Sequence, residues 1–208
     1  MSRASILGAI SRQLNDVESR RTRERYNMLN YYEGMTSEME ADIKKYFDSD
    51  SLRQTPIMTE SLTQKLINAR AICFKQAPER KVDERYNEFV SDLDSAMLRF
   101  ERLCYLLGTV AMKSVWNDKE QKIEYVPLIE FYPVFEQFSE EPVGVFYPLY
   151  NHSNRMDRRD QLFAYWSDTE HFLVNGKGNV VVNEDNPEGV NPYQINPVVF
   201  AHRQVLSP

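Results

Sequence analysis

The feature that most constrains this chain is a change of period at Gly108. Before it, apolar residues recur at helical spacing; after it, they alternate as in strands. Residues 2 to about 32 carry Ile6, Ile10, Leu14 and Val17, then Arg20, Arg21, Arg23 and Arg25, then Met28, Leu29 and Tyr32, with Gly34 as the stop. A short helix is expected over Glu38–Phe47. Ser61 with Gln64 has capping-box form, so a helix starts there, with Leu62, Leu66, Ala69 and Cys73 on its apolar face and Pro78 closing the segment. Asp83 to Leu107 carries Phe89, Leu93, Met97, Phe100, Cys104 and Leu107 in the clearest amphipathic pattern. That stripe is wide enough to fill a core and leave Tyr105 or Leu106 to spare.

Beyond Gly108 the residues are β-branched and aromatic. Thr109–Trp116 and Lys122–Leu128 read as a hairpin around Asn117–Gln121. Phe131–Phe138 and Val143–Tyr150 follow, with Pro133 and Pro148 pushing them toward sheet edges. Leu162–Ser167, His171–Asn175 and, after the Asn175–Gly178 turn, Asn179–Asn183 complete the series. Asp185 to Pro197 reads as extended loop, and the end after it carries no convincing element. Helices in one half and strands in the other predict an α+β fold: a mainly helical segment over 1–108 and a mainly antiparallel β segment over 109–208. The end at Val205–Pro208 reads as arbitrary, as though a longer protein had been cut, with the two segments forming one domain of it.

Composition sets limits on function. Twenty-five Lys and Arg against 31 Asp and Glu leave a net charge of −6, so the chain is not a polycation that seeks nucleic acid by bulk attraction. The imbalance is local: residues 1–80 hold thirteen basic and eleven acidic residues, and 81–208 hold twelve and twenty. Twelve Tyr, 11 Phe and 2 Trp exclude a wholly disordered chain. No apolar run reaches the roughly 20 residues of a helical membrane crossing. Cys73 and Cys104 fall on apolar helix faces, where buried thiols of a reducing compartment are expected. The start has no apolar secretory core, so synthesis in the cytoplasm is expected, and the sequon at Asn151 reads as chance.

Reaction chemistry is sparse. His152, His171 and His202 are too scattered for a zinc pattern, and Gly176-Lys177-Gly178 lacks the P-loop frame and reads as a turn. No nucleophile motif is present, and Glu140-Glu141 and Asp48/Asp50 read as solvated loop carboxylates. No metal and no cofactor is expected, and the chain reads as no enzyme. Arg20, Arg21, Arg23 and Arg25 form the one notable charge cluster. They fan around a helix, which suits a solvated or salt-bridged segment, or contact with phosphate or an acidic partner. Arg155, Arg158 and Arg159 form a weaker version.

The order of these features resembles the portal proteins of tailed bacteriophages. The Arg-rich helix running into Tyr31-Tyr32-Glu33-Gly34 is similar to the tyrosine-glycine element that ends the first helix in many portals. Thr63–Asn68 through Gln76-Ala77-Pro78 resembles the next helix and its exit loop. Leu106–Lys113 resembles the helix-to-strand step before a hairpin of Trp-Asn type. Tyr165–Asp168 and Asn186-Pro187 resemble later elements, and the likeness spans about residues 20–200.

The resemblance implies a virion structural protein, a ring usually of twelve subunits at one capsid vertex. Through it double-stranded DNA is packaged and ejected. The implied partners are further copies of the chain, the major capsid and scaffold proteins, the terminase large subunit, which brings the ATPase, and the neck proteins. Assembly in the host cytoplasm, location in the virion and absence of a membrane role follow. Net negative charge suits a channel in which DNA must slide. Portals are generally much longer than 208 residues, with stem, clip and crown after a region like this one, so the chain corresponds to the N-terminal, wing-like part. Two other readings stand beside this one: a non-enzymatic α+β adaptor or other head-completion protein, and an enzyme whose catalytic residues meet only in three dimensions.

Overall fold

The computed structural model describes residues 2–16, 19–47, 61–81, 83–90, 92–149 and 161–202. Among the described residues six helices come first: α1 (Arg3–Asp16), α2 (Ser19–Glu33), α3 (Thr36–Tyr46), α4 (Leu62–Arg70), α5 (Glu84–Phe89) and α6 (Leu93–Leu107). Eight described strands follow: β1 (Thr109–Asn117), β2 (Lys122–Leu128), β3 (Tyr132–Phe135), β4 (Pro142–Pro148), β5 (Leu162–Trp166), β6 (His171–Asn175), β7 (Val180–Val181) and β8 (Val198–His202). The fold is α+β, with helices in the first half and antiparallel sheet in the second. The chain also divides into two compact units that interleave in sequence. One takes Met1–Ser19, Ala111–Val115 and Val126–Phe200; the other takes Arg20–Val110, Trp116–Tyr125 and Ala201–Pro208.

The first unit is built on a five-stranded sheet of order β3-β4-β5-β6-β7, a meander whose strands pair antiparallel. Its central strands are buried on both faces, so they carry unbroken apolar runs such as Val145-Phe146-Tyr147. On one face, Phe146, Phe163, Tyr165, Phe172 and Val174 receive Ile6, Ile10 and Leu14 of α1. On the other, Val145, Tyr147 and Ala164 meet Ala111 of β1 and Val198 of β8. The sheet is pulled tight at Gly144: a Cβ there would sit 2.6 Å from Tyr165 Cζ and 2.7 Å from the Trp166 carbonyl, so only glycine fits. A three-stranded sheet of order β2-β1-β8 brings in the strand that the sequence pattern did not announce.

The second unit is helical. Gly108, with φ +79, ends α6 in the left-handed region that a side chain resists, and its N–H returns to the Cys104 carbonyl. Ser61 caps α4 by accepting from the Gln64 amide at 3.2 Å, as expected, and its hydroxyl donates to the Tyr31 carbonyl at 2.8 Å. Tyr31 and Tyr32, from the tyrosine-glycine element, tie α2 to its neighbours. The Tyr31 hydroxyl donates to Asp42, and that of Tyr32 to Asn68 at 3.1 Å.

Several expectations are corrected. The helix expected over 83–107 is two: Asp83 caps the short α5, Val90 buries itself between the pieces, and Asp92 opens α6 while pairing with Lys122 at 2.7 Å. Over 2–32 the described residues from Arg3 on are helical as expected, in α1 and α2, with residues 17–18 outside the described residues. Pro148 lies on a strand flanked on both sides, but at its last position, where a missing N–H breaks little of the ladder. Pro133 does lie on the edge strand.

Candidate interaction surfaces

The arginine run follows the helix, so its members diverge. Arg20 and Arg21 lie in the first turn of α2, and their side chains fall outside the described residues. Arg23 is exposed. Arg25 is half-buried and donates to the Thr109 carbonyl at 2.7 Å, holding the first residue after the α6 cap. Its charge thus serves a backbone carbonyl inside its own unit. The sequon at Asn151, His152 and the cluster of Arg155, Arg158 and Arg159 lie outside the described residues.

The interior of the first unit holds one polar group of note. Register places Tyr147, Trp166 and His171 on one face of β4, β5 and β6, and Lys113 of β1 approaches that face. Trp166 and His171 stack with ring centroids 3.6 Å apart, and the Lys113 ammonium lies 5.3 Å from the centre of the Tyr147 ring. An aromatic face attracts a cation, so the Tyr147 ring draws the lysine toward it. Burial lowers the Lys113 pKa and raises that of Tyr147 well above the ordinary phenol range. Burial also lowers the His171 pKa, and the Lys113 charge adds to this. The Tyr165 carbonyl, 3.0 Å from His171 Nδ1, opposes it. The rings pack on one another, while the Tyr147 hydroxyl and the Trp166 indole N–H are buried with no hydrogen-bond partner among the described residues.

Cys73 departs from expectation. The helix stops at Arg70, and Cys73 is exposed. The cause is Glu101 on α6, only 9% exposed, whose carboxylate accepts the amides of Ile72 at 3.2 Å, Cys73 at 3.1 Å and Phe74 at 3.2 Å. Three amides drawn to one carboxylate leave the helical path. Neither Cys73 nor Cys104 is in a disulfide.

The largest departure is on α4. The stripe of Leu62, Leu66 and Ala69 reads as a core face, yet Leu62 is 67% and Leu66 62% exposed, Ala69 is exposed, and α4 buries none of its residues. Exposed Ile72 continues the stripe past the helix end. The helix meets α6 through its other side, where Ile67 is half-buried and Ala71, just past the end, is buried. Tyr105 and Leu106 are half-buried.

No protein-family model and no curated protein matches this chain. Among the described residues, no three His, Cys, Asp or Glu side chains gather as a metal ion would need, and no helix is long and apolar enough to cross a membrane. The α4 stripe was visible in the sequence as an apolar face, but spacing alone assigns such a face to the core.

Proposed function

We propose that this chain is a self-associating, non-enzymatic structural subunit, the wing-like part of a portal-type ring through which double-stranded DNA passes in a tailed phage virion. The observation that carries the reading is the α4 stripe. A helix whose apolar side faces water at Leu62, Leu66 and Ala69 gains by pairing with another molecule, because apolar area removed from water stabilises by about 25 cal/mol per Å². The portal resemblance adds the order of elements, with the tyrosine-glycine turn after α2, the α4 helix and the Gly108 step into a hairpin. A net charge of −6 suits DNA that passes without being gripped. Capsid, scaffold, terminase and neck proteins are the partners such a ring would take.

Electron microscopy of the full natural gene product tests this reading. The expected result is a closed ring with rotational symmetry and a central hole wide enough for duplex DNA. A monodisperse monomer at high concentration would overturn it and shift weight to the adaptor reading.

A further inference from the structure

The connection between β3 and β4 is a short turn with an unusual tip. Ser139 N–H donates to the Glu136 carbonyl at 3.0 Å, and the Ser139 hydroxyl donates to the Glu141 carbonyl at 2.9 Å. The Glu141 amide returns to the Ser139 hydroxyl at 3.2 Å. Inside this turn Phe138 has φ +67, in the left-handed region that bulky residues avoid, and it is 97% exposed. A position like this favours glycine or asparagine. A large aromatic held there, fully in water, loses on backbone conformation and on hydration alike. The turn's hydrogen bonds hold the backbone, but the ring itself gains no burial in return.

The charges around the tip are one-sided. Glu136, Glu140 and Glu141 flank Phe138, all exposed, and no Lys or Arg occurs anywhere in residues 123–154. The α4 stripe has the opposite surround. Residues 61–78 carry Lys65, Arg70 and Lys75, all exposed, and no Asp or Glu. One surface is an apolar knob with three carboxylates; the other is an apolar stripe with three cations.

We infer that the Phe138 turn of one copy of this chain docks on the Leu62/Leu66/Ala69/Ile72 stripe of a second copy. Phe138 fills the apolar stripe, and the glutamates meet Lys65, Arg70 and Lys75 at its rim. This rests on the self-association reading and gives it a contact. The two patches differ, so the contact is head-to-tail: each copy offers one knob and one stripe, and growth stops only when a ring closes. The opposed charges set the register and make association weaken with salt.

Sedimentation velocity of the full chain over a range of concentration and ionic strength tests the contact. Wild type is expected to form oligomers that dissociate as salt rises. Phe138→Gly removes the knob while suiting the backbone, so it should weaken association about a hundredfold with an unfolding midpoint no lower than wild type. Leu66→Asp removes the stripe and should be equally monomeric, with an unchanged far-ultraviolet circular dichroism spectrum. Mixing Phe138→Asp with Leu66→Asp leaves one intact knob and one intact stripe, and should yield a one-to-one pair and nothing larger. An oligomer of wild-type size from Phe138→Gly, or no pair in the mixture, would overturn this contact while self-association through another face stood. Wild type that stays monomeric at every concentration and salt would overturn both.

Discussion

Glu101 shows how one side chain sets the course of a loop. Its carboxylate satisfies three successive amides, so Glu101→Ala leaves them unpaired and should cost about 3 kcal/mol, read as a lower denaturation midpoint. The same carboxylate acts on Cys73. Hydrogen bonding to Glu101, then its negative charge, hold the thiol above its ordinary pKa, so an exposed cysteine is a poor nucleophile. Cys73 should therefore alkylate more slowly at pH 8 than an unstructured cysteine, and Glu101→Gln should speed it. His171 gives a pH dependence of known sign. Burial lowers its folded pKa below 6.5, so the unfolded chain binds the proton more readily. Stability should be complete above pH 6.5 and fall as the pH drops from there toward the folded value. Lys113→Met removes the nearby charge and should raise the His171 pKa measured by NMR titration.

At the scale of elements, the segment from Asp185 to Pro197 is the instructive case. Sequence punctuation marks it as loop, and it has no regular structure beyond a bridge between Glu170 and Val190. It is nevertheless ordered by its asparagines. Asn191, 1% exposed, donates to the carbonyls of Ser167 at 2.7 Å and Ile195 at 2.9 Å and accepts from the Tyr193 amide at 3.1 Å. Asn186 donates to the carbonyls of His171 and Val190, both at 3.0 Å. Side-chain amides here supply the partners that a strand would otherwise provide. Asn191→Ala should cost about 3 kcal/mol and should raise hydrogen exchange at Tyr193. The hairpin at Asn175 works in the same way: its side-chain carbonyl accepts from the amides of Lys177 and Asn179, both at 3.0 Å. That turn was readable because its residues are local. The Asn191 network was not, since its partners lie up to 24 residues away.

For the whole molecule, the two compact units differ in how they are held. The first has apolar clusters on both faces of a sheet; in the second, α4 and α5 bury none of their residues. Local opening follows buried contact, so amides of β4, β5 and β6 should exchange slowest and those of α4 and α5 fastest in native-state hydrogen exchange. Association through the α4 stripe would then slow α4 selectively as concentration rises.

Period, caps and punctuation determined by themselves that this chain is α+β, that helices give way to strands at Gly108, and that a cap stands at Ser61 and a turn at Asn175. These are local consequences of side-chain spacing and backbone freedom, and each is complete within a few residues. Only the tertiary structure decided which apolar faces find a partner. Ile6, Ile10 and Leu14 meet the sheet, whereas Leu62, Leu66 and Ala69 have the same spacing and meet water. The split at Val90, the exit of Cys73 from its helix and the pairing of β8 belong to the same class. Each depends on a group distant in sequence, Glu101 for Cys73 and β1 for β8, and periodicity carries no information about what lies opposite a face.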